Sequence, residues 1–394
     1  MSENNQFDSL MSITARPPLI MVSGHGSWLT DHNGTRYLDF IQGWAVNSLG
    51  HSSPVVVDAL TRQAARLISP SPAFYNDQAI RLADLLTANS CFQKIFFANS
   101  GAEANEGAIK LARKWGSVHR SGAYEIITMV NSFHGRSLAT MSASGKPLWQ
   151  ELFEPKVPGF IKLPLNDLDA VAHAITEKTA AVMLEPIQGE AGVIPATVEY
   201  LAGLRELTRK RGILLILDEV QTGMGRLGNL FAYQVSRVEP DIMTLGKGIG
   251  AGVPLAALLA KEAICCFEPG DQGGTYNGNP LMAAVGCAVM EELLKPGFME
   301  HVQAMGLLLA DGLRGLSLHH SLGEVRGSGL LLALELPIGN ADAVAETARD
   351  HGLIINAARP DTLRFMPALN VTVDEVELCL EILGRVFTTL EMEK

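Results

Sequence analysis

From about residue 55 onward the chain alternates between two patterns of apolar residues. In one, apolar positions recur with helical spacing; in the other, short runs such as Ile213-Leu214-Leu215-Ile216-Leu217 are apolar throughout. The first pattern is that of a helix with one face on a core, the second that of a strand covered on both faces. Strands are predicted at Lys94–Ala98, Glu125–Val130, Ala180–Glu185, Ile213–Leu217, Ile242–Leu245 and Ala256–Ala260, with helices between them. Such alternation implies an α/β fold, a mostly parallel sheet flanked by helices, with chemistry at the carboxyl ends of the strands. Ahead of it, Gly24 to Phe40 alternates polar and apolar residues around Asn33-Gly34, which predicts a hairpin. After Pro280 a helical pattern, Leu281 to Leu294, leads to strands near Gly323–Leu336 and Leu363–Pro367 and a closing helix, Val373 to Leu390. The expected division is an N-terminal segment (1–50), a large domain (51–280) and a smaller α+β C-terminal domain (281–394) that the N-terminal segment joins.

At 394 residues the chain is too long for one compact core, in keeping with two lobes. Its net charge of −11, with no basic run, argues against nucleic acid as a partner. The five cysteines are odd in number and lack metal-ligand spacing, which points to a reducing compartment. Adjacent Cys265 and Cys266 read as buried thiols on a helix rather than a redox pair. Met1 to Ala15 is polar and has no basic stretch followed by an apolar one, unlike a secretory leader. The longest uncharged stretch, Gly248 to Ala260, is too short and glycine-rich to span a bilayer. A cytoplasmic protein without membrane contact is the expectation.

The chemistry-bearing residues gather at the predicted strand ends. Asn99-Ser100-Gly101-Ala102-Glu103 opens a helix; it has the form of a capping box, and the N–H groups of Gly101 and Ala102 could equally hold a phosphate. Phe133-His134-Gly135-Arg136 offers an aromatic ring, which could be core, and an arginine suited either to a bound carboxylate or to a surface ion pair. Asp218 directly follows five apolar residues, so it needs a cationic partner: an internal arginine, or a protonated ring nitrogen of a cofactor. Glu219, alternating to the other side, reads as structural. Lys247, between Gly246 and Gly248 after a buried strand, is placed for desolvation to favour its neutral, nucleophilic amine. A lysine forming an imine with an aldehyde and an aspartate on a ring nitrogen together suggest pyridoxal phosphate. Gly223-Met224-Gly225-Arg226-Leu227-Gly228 also fits a dinucleotide fingerprint, but acids directly before it and the lack of a long helix after it count against that reading.

In order along the chain, Asn99–Ala104, Phe133–Arg136, Glu185-Pro186-Ile187-Gln188-Gly189-Glu190, Asp218–Gly223, Leu245–Gly248, Gly274-Thr275-Tyr276-Asn277-Gly278-Asn279-Pro280 and Leu363–Pro367 resemble the class III pyridoxal-phosphate aminotransferases. With Gly43-Trp44-Ala45-Val46-Asn47, the likeness is to the acetylornithine/ornithine branch and covers essentially the whole chain. The resemblance implies a fold-type I homodimer with active sites at the subunit interface. Lys247 would hold pyridoxal phosphate, Asp218 would pair with its ring nitrogen, Phe133 and Val220 would sandwich the ring, and Gln221 would lie near its phenolic oxygen. Ser100, Gly101 and Ala102 would bind the phosphate together with Thr275 of the second copy. Arg136 would bind a substrate carboxylate, Arg364 would take the α-carboxylate of glutamate, and Glu190 would mask Arg364 while the ω-amine substrate is bound. Gly274 stands where many family members have serine, a departure that bears on any hydroxyl contact to cofactor or substrate. Tyr75, in Ala73-Phe74-Tyr75-Asn76, resembles the ornithine branch as much as the acetylornithine one.

The implied reaction is a two-stage transamination from N-acetylornithine to 2-oxoglutarate, a step of arginine biosynthesis. Ornithine, succinylornithine, 4-aminobutyrate or an aminomutase reaction are the alternatives within the class. A nicotinamide oxidoreductase built on the glycine fingerprint, or a cofactor-binding protein without turnover, are the alternatives outside it.

Overall fold

The structure, a computed structural model, describes residues 9–337 and 339–392. Most of the polar N-terminal stretch read as unlike a leader, Met1 to Asp8, lies outside the described residues. The centre is a seven-stranded sheet in the order Lys94–Ala98, Ala256–Ala260, Ile242–Leu245, Leu214–Asp218, Thr179–Leu184, Glu125–Met129, Phe160–Leu163. Ala256–Ala260 runs antiparallel to both neighbours; the remaining pairings are parallel. The six predicted strands are present with ends within one residue of the expected ones. The edge strand Phe160–Leu163 was not foreseen, because Lys162 interrupts its apolar residues and none of the four is fully buried.

The all-apolar runs have a physical reason. Leu215 and Leu217 join the large core on one face of the sheet. Leu214 and Ile216 join a second core on the other face, with Ala108, Leu111 and Ala112 of the helix Gly101–His119. Each fully buried side chain of this size contributes roughly 1.5–3 kcal/mol, so both faces need apolar residues. Thr197 caps the helix Val198–Arg211, and Gly212, at φ +60°, ends it and turns the chain into Leu214–Asp218. These features fix where Asp218 leaves the sheet.

The strands Val325–Ser328, Leu331–Glu335, Thr362–Phe365 and Asn356–Arg359 form a second, antiparallel sheet. The predicted hairpin is present as Trp28–Asp31 and Arg36–Asp39, and the latter pairs in parallel with Leu353–Ile354. The N-terminal segment is thereby stitched to the C-terminal part of the chain. Helix Pro280–Leu293 packs on Pro54–Ala64 and Asp77–Ala88.

One expectation changes. Cys265 is exposed and Cys266 partly so, and they follow a short turn, Glu262–Ile264, rather than lying on a helix. The glycine fingerprint at Gly223–Gly228 forms successive turns, with no helix before Ala232–Ser236. Its Arg226 is buried and donates to the carbonyls of Leu330 and Pro367, so the segment ties the two sheets' surroundings together. Among the described residues no helix is long and apolar enough to cross a membrane.

Candidate active site

Because the strands other than Ala256–Ala260 run the same way, the residues following Ala98, Met129, Leu184, Asp218 and Leu245 emerge along one edge of the sheet. Open α/β sheets bind ligands at such an edge. Glycines let the segments close on one another. A Cβ on Gly101 would lie 2.7 Å from Val220 Cγ1, and one on Gly246 would lie 3.1 Å from the same methyl. A Cβ on Gly135 would lie 2.8 Å from Ala102 Cβ. The helix start, the Phe133 segment, Val220 and the lysine turn are therefore in direct contact.

Gly135 also has φ +138°, a region open essentially to glycine alone. Gly135→Ala is expected to cost about 1–3 kcal/mol and to push the Phe133 segment off Ala102. Thermal melts with and without pyridoxal phosphate would check this, the loaded protein losing more than the free one. Identical melts for wild type and variant would remove the argument.

Asp218 is buried and its carboxylate is closely held. Oδ2 accepts from Asn105 Nδ2 at 2.7 Å and faces His134 Nδ1 at 2.8 Å; Oδ1 accepts from Val220 N–H at 3.0 Å and has Thr244 Oγ1 3.4 Å away. Thr244 also donates to Asn105 Oδ1 at 2.7 Å, which orients that amide. Among the described residues no arginine pairs with Asp218, so that alternative falls. A carboxylate has room for about four donors, and the long Thr244 contact leaves Oδ1 able to take a further one.

Lys247 adopts φ +46°, a left-handed conformation costing a non-glycine residue roughly 1–2 kcal/mol. Ser48 Oγ donates to the Gly248 carbonyl at 3.0 Å and helps to hold the turn. Among the described residues none makes a hydrogen bond or ion pair with Lys247 Nζ. Burial pushes its amine below the ordinary lysine value and Arg364 adds to this, while Glu190, Asp218 and Glu185 oppose it. That is the direction a nucleophilic amine requires.

Arg364, 1% exposed, is the other pole of the site. Its Nε donates to Asn356 Oδ1 at 3.0 Å, Nη1 to Gln221 Oε1 at 3.4 Å and Nη2 to Glu190 Oε1 at 2.8 Å. Trp44 stands 5.6 Å from its guanidinium, presented by a left-handed turn in which Gln42, Gly43, Trp44 and Ala45 all have positive φ. Burial pushes the Glu190 carboxyl up, but Arg364 and then Lys146 outweigh it and hold it at about 2. Burial likewise raises Glu185, which accepts the Phe133 N–H at 2.8 Å, and takes Glu219 up to about 7. Glu219 accepts the N–H groups of Ala232 and Tyr233 at the start of a short helix, the structural part expected of it.

The capping box at Ser100 and Glu103 is formed. It leaves the N–H groups of Gly101 and Ala102 without an acceptor among the described residues. Buried His134 Nε2 and Gln221 Nε2 also lack partners. Unpartnered buried groups are rare and need an explanation. An anion at the helix start, a ring beside Asp218 and an aldehyde at Lys247 would supply one, so the site fits pyridoxal phosphate.

Arg136 is exposed and has no partner among the described residues, so the surface ion pair is not made. Tyr75, Gly274 and Thr275 are not brought to Lys247. They line a separate exposed cleft with Phe74 and Asn277, which none of the Lys247 cluster lines. One link joins the two: Asn277 Oδ1 accepts from Asn99 Nδ2 at 2.6 Å, beside the helix start. Sequence reasoning missed Asn105, Thr244 and Lys146 and gave His134 no part of its own. Asn105 carried a signal, being a polar residue on the apolar helix face that includes Ala104, Ala108 and Ala112.

The family model "Aminotransferase class-III" matches residues 11–387. Acetylornithine aminotransferase of Ralstonia nicotianae is 61% identical over 95% of this chain and 96% of its own length. Acetylornithine aminotransferase 2 of Bordetella pertussis is also 61% identical, over 98% and 99%. Among solved structures, N-acetylornithine aminotransferase from Stenotrophomonas maltophilia superimposes with a TM-score of 0.85 at 36% identity, covering 96% of this chain and 98% of that one. Ornithine aminotransferase from Toxoplasma gondii gives 0.93 at 32% identity, covering 98% and 94%.

Proposed function

The chain belongs to the class-III aminotransferases, pyridoxal-phosphate enzymes of fold type I, and from that premise we propose that it moves the ω-amino group of N-acetylornithine to 2-oxoglutarate, in the cytoplasm, as a step of arginine biosynthesis. The observation that carries this reading is the pairing of an uncommitted Lys247 amine with a buried arginine masked by a carboxylate, Arg364–Glu190. Identity of 61% to two acetylornithine aminotransferases favours N-acetylornithine over ornithine as the donor. The large domain (51–280) would carry the cofactor, with the small domain (281–394) supplying Arg364.

When bound, pyridoxal phosphate supplies an aldehyde that takes up amines and a ring that draws electrons from the adjacent carbon. Lys247 would hold it, with Asp218 on the ring nitrogen, Phe133 and Val220 against the ring, Gln221 beside the phenolic oxygen and Ser100, Gly101 and Ala102 on the phosphate. Asn105, His134 and Thr244 keep the Asp218 carboxylate aimed. Once free of the cofactor, the Lys247 amine would take the proton from the amine-bearing carbon and return it, serving as both base and acid. Arg136 would receive the carboxylate of N-acetylornithine while Glu190 covers Arg364. In the second stage Arg364 takes the α-carboxylate of the diacid.

We read the exposed apolar surface around Phe74, Tyr75 and Tyr276 as the seat of a second copy. A homodimer would bring Thr275, Gly274 and Tyr75 to the partner's Lys247 site and shield them from water.

Glu190→Ala is expected to slow the N-acetylornithine half-reaction about tenfold more than the glutamate half-reaction, because a bare buried cation is left facing the acyl-amine substrate. Single-turnover rates of the two halves would show it; equal losses would sink the masking role. The sign of its pH dependence follows from a folded value depressed from 4.5 to about 2. The pair is fully formed above the ordinary carboxyl range and is lost only as pH falls toward 2, so the ratio of half-reactions should be flat from about pH 5 upward.

Absorption spectra of the purified protein titrated with N-acetylornithine, ornithine and 4-aminobutyrate test the whole reading. Bleaching of a visible band by N-acetylornithine at the lowest concentration, and its return on adding 2-oxoglutarate, is the expected result. Bleaching only by another amine would move the activity to a sister substrate.

A further inference from the structure

Glu190 is gripped at both oxygens. Oε1 meets Arg364 Nη2 at 2.8 Å, and Oε2 meets Lys146 Nζ at 3.1 Å. The two cations differ in setting. The Arg364 side chain is 1% exposed, whereas Lys146 is 25% exposed and Glu190 27%, so the carboxylate bridges a buried anchor to a cation at the rim. Lys146 is not drifting in solvent. Its ammonium stands 4.8 Å above the Phe133 ring and 5.4 Å from the Trp149 ring, which are themselves 5.6 Å apart. Two aromatic faces and one carboxylate fix the position of a residue that is otherwise among the most mobile.

The charge count gives this a function. With a substrate whose carboxylate stays away from Arg364, the triad holds two cations and one anion, and Glu190 bridges them. When a diacid brings a carboxylate to Arg364, Glu190 must release it, and the two anions repel. A partly buried carboxylate displaced without a counter-ion is costly. With Lys146 already on Oε2, the four charges resolve into two pairs, substrate with Arg364 and Glu190 with Lys146.

We infer that Lys146 is the alternate partner of Glu190: it retains the carboxylate when a diacid takes Arg364, and so sets the enzyme's affinity for dicarboxylates relative to monocarboxylates. This rests on Arg364 being the diacid anchor. Lys146 acts through Glu190; it positions and does not react.

The test uses the cofactor-loaded enzyme and two unreactive probes, glutarate as the diacid and N-acetylnorvaline as N-acetylornithine without its ω-amine. Calorimetric dissociation constants are measured for wild type, Lys146→Met, Lys146→Arg, Glu190→Ala, Arg364→Ala and the Lys146→Met/Glu190→Ala double variant. Lys146→Met is expected to weaken glutarate about tenfold, about 1.4 kcal/mol, and N-acetylnorvaline by less than about threefold. Lys146→Arg should restore glutarate binding to within about threefold of wild type. In the Glu190→Ala background the Lys146→Met effect should vanish, since no carboxylate is left to retain; a packing role would persist there. Equal weakening of both probes, no weakening of glutarate, or an undiminished loss in the Glu190→Ala background would overturn the inference. If Arg364→Ala itself leaves glutarate binding unchanged, the anchor reading fails and the inference with it. If Arg364→Ala weakens glutarate while Lys146→Met does not, the inference about Lys146 fails alone.

Discussion

Lys247→Ala is expected to abolish both half-reactions, lowering single-turnover rates by about 10⁴-fold or more, because one amine is both the attachment point and the proton carrier. The fold should tolerate the change. Nζ has no hydrogen-bond or ion-pair partner among the described residues, and removing it relieves an amine whose burial already disfavours its charge. The left-handed φ of +46° is unfavourable for alanine as for lysine, so nothing is gained or lost there. Wild-type protein reduced with borohydride in the presence of pyridoxal phosphate should carry a pyridoxyl mass on the peptide containing Lys247, and the variant none. A variant within about a hundredfold of the wild-type rate would mean that another group moves the proton.

Asp218→Asn should cost about 10³-fold in both half-reactions, with the protein still folded and still able to take up the cofactor more weakly. Two effects combine. The amide cannot balance a protonated ring nitrogen, so electron withdrawal weakens. It also brings an N–H₂ into a shell built of donors. Set at the Oδ2 position it opposes Asn105 Nδ2, and set at the Oδ1 position it opposes the Val220 N–H. Either mismatch leaves a buried donor unmatched at about 1–3 kcal/mol. Asn105→Ala should reproduce a smaller part of the loss, since the charge remains while its aim is relaxed. Rates of the half-reactions and pyridoxal-phosphate dissociation constants would separate the two effects. A rate within about tenfold of wild type for Asp218→Asn would show that the ring nitrogen is balanced elsewhere.

Much of the site was legible in the residues because each strand ends abruptly in a polar group that has no reason to follow an apolar run. Asp218 after Leu217, and Lys247 between two glycines after Leu245, announce themselves in this way. Glu219 was separable from Asp218 by alternation, and it does turn to the opposite side and caps Ala232–Ser236. The edge strand Phe160–Leu163 was not legible, because it is short and Lys162 interrupts its apolar positions. The adjacent cysteines misled for the opposite reason: Ala263-Ile264-Cys265-Cys266-Phe267 is apolar enough for a helix, yet only the turn Glu262–Ile264 forms and Cys265 is left exposed.

By itself the sequence determined which residues must leave the sheet at its carboxyl edge, that both faces of that sheet are covered, and that an amine, an acid and a helix start face a common space. Those are local consequences of patterning, capping and glycine placement, and they need no knowledge of distant contacts. Only the tertiary structure decided what each charge answers to. That Asp218 is held by Asn105, His134 and Thr244, and that Glu190 lies between Arg364 and Lys146, depends on pairs 26 to 174 residues apart. Spacing along the chain carries no trace of such pairings, because the same polar residues would read identically on a solvated face.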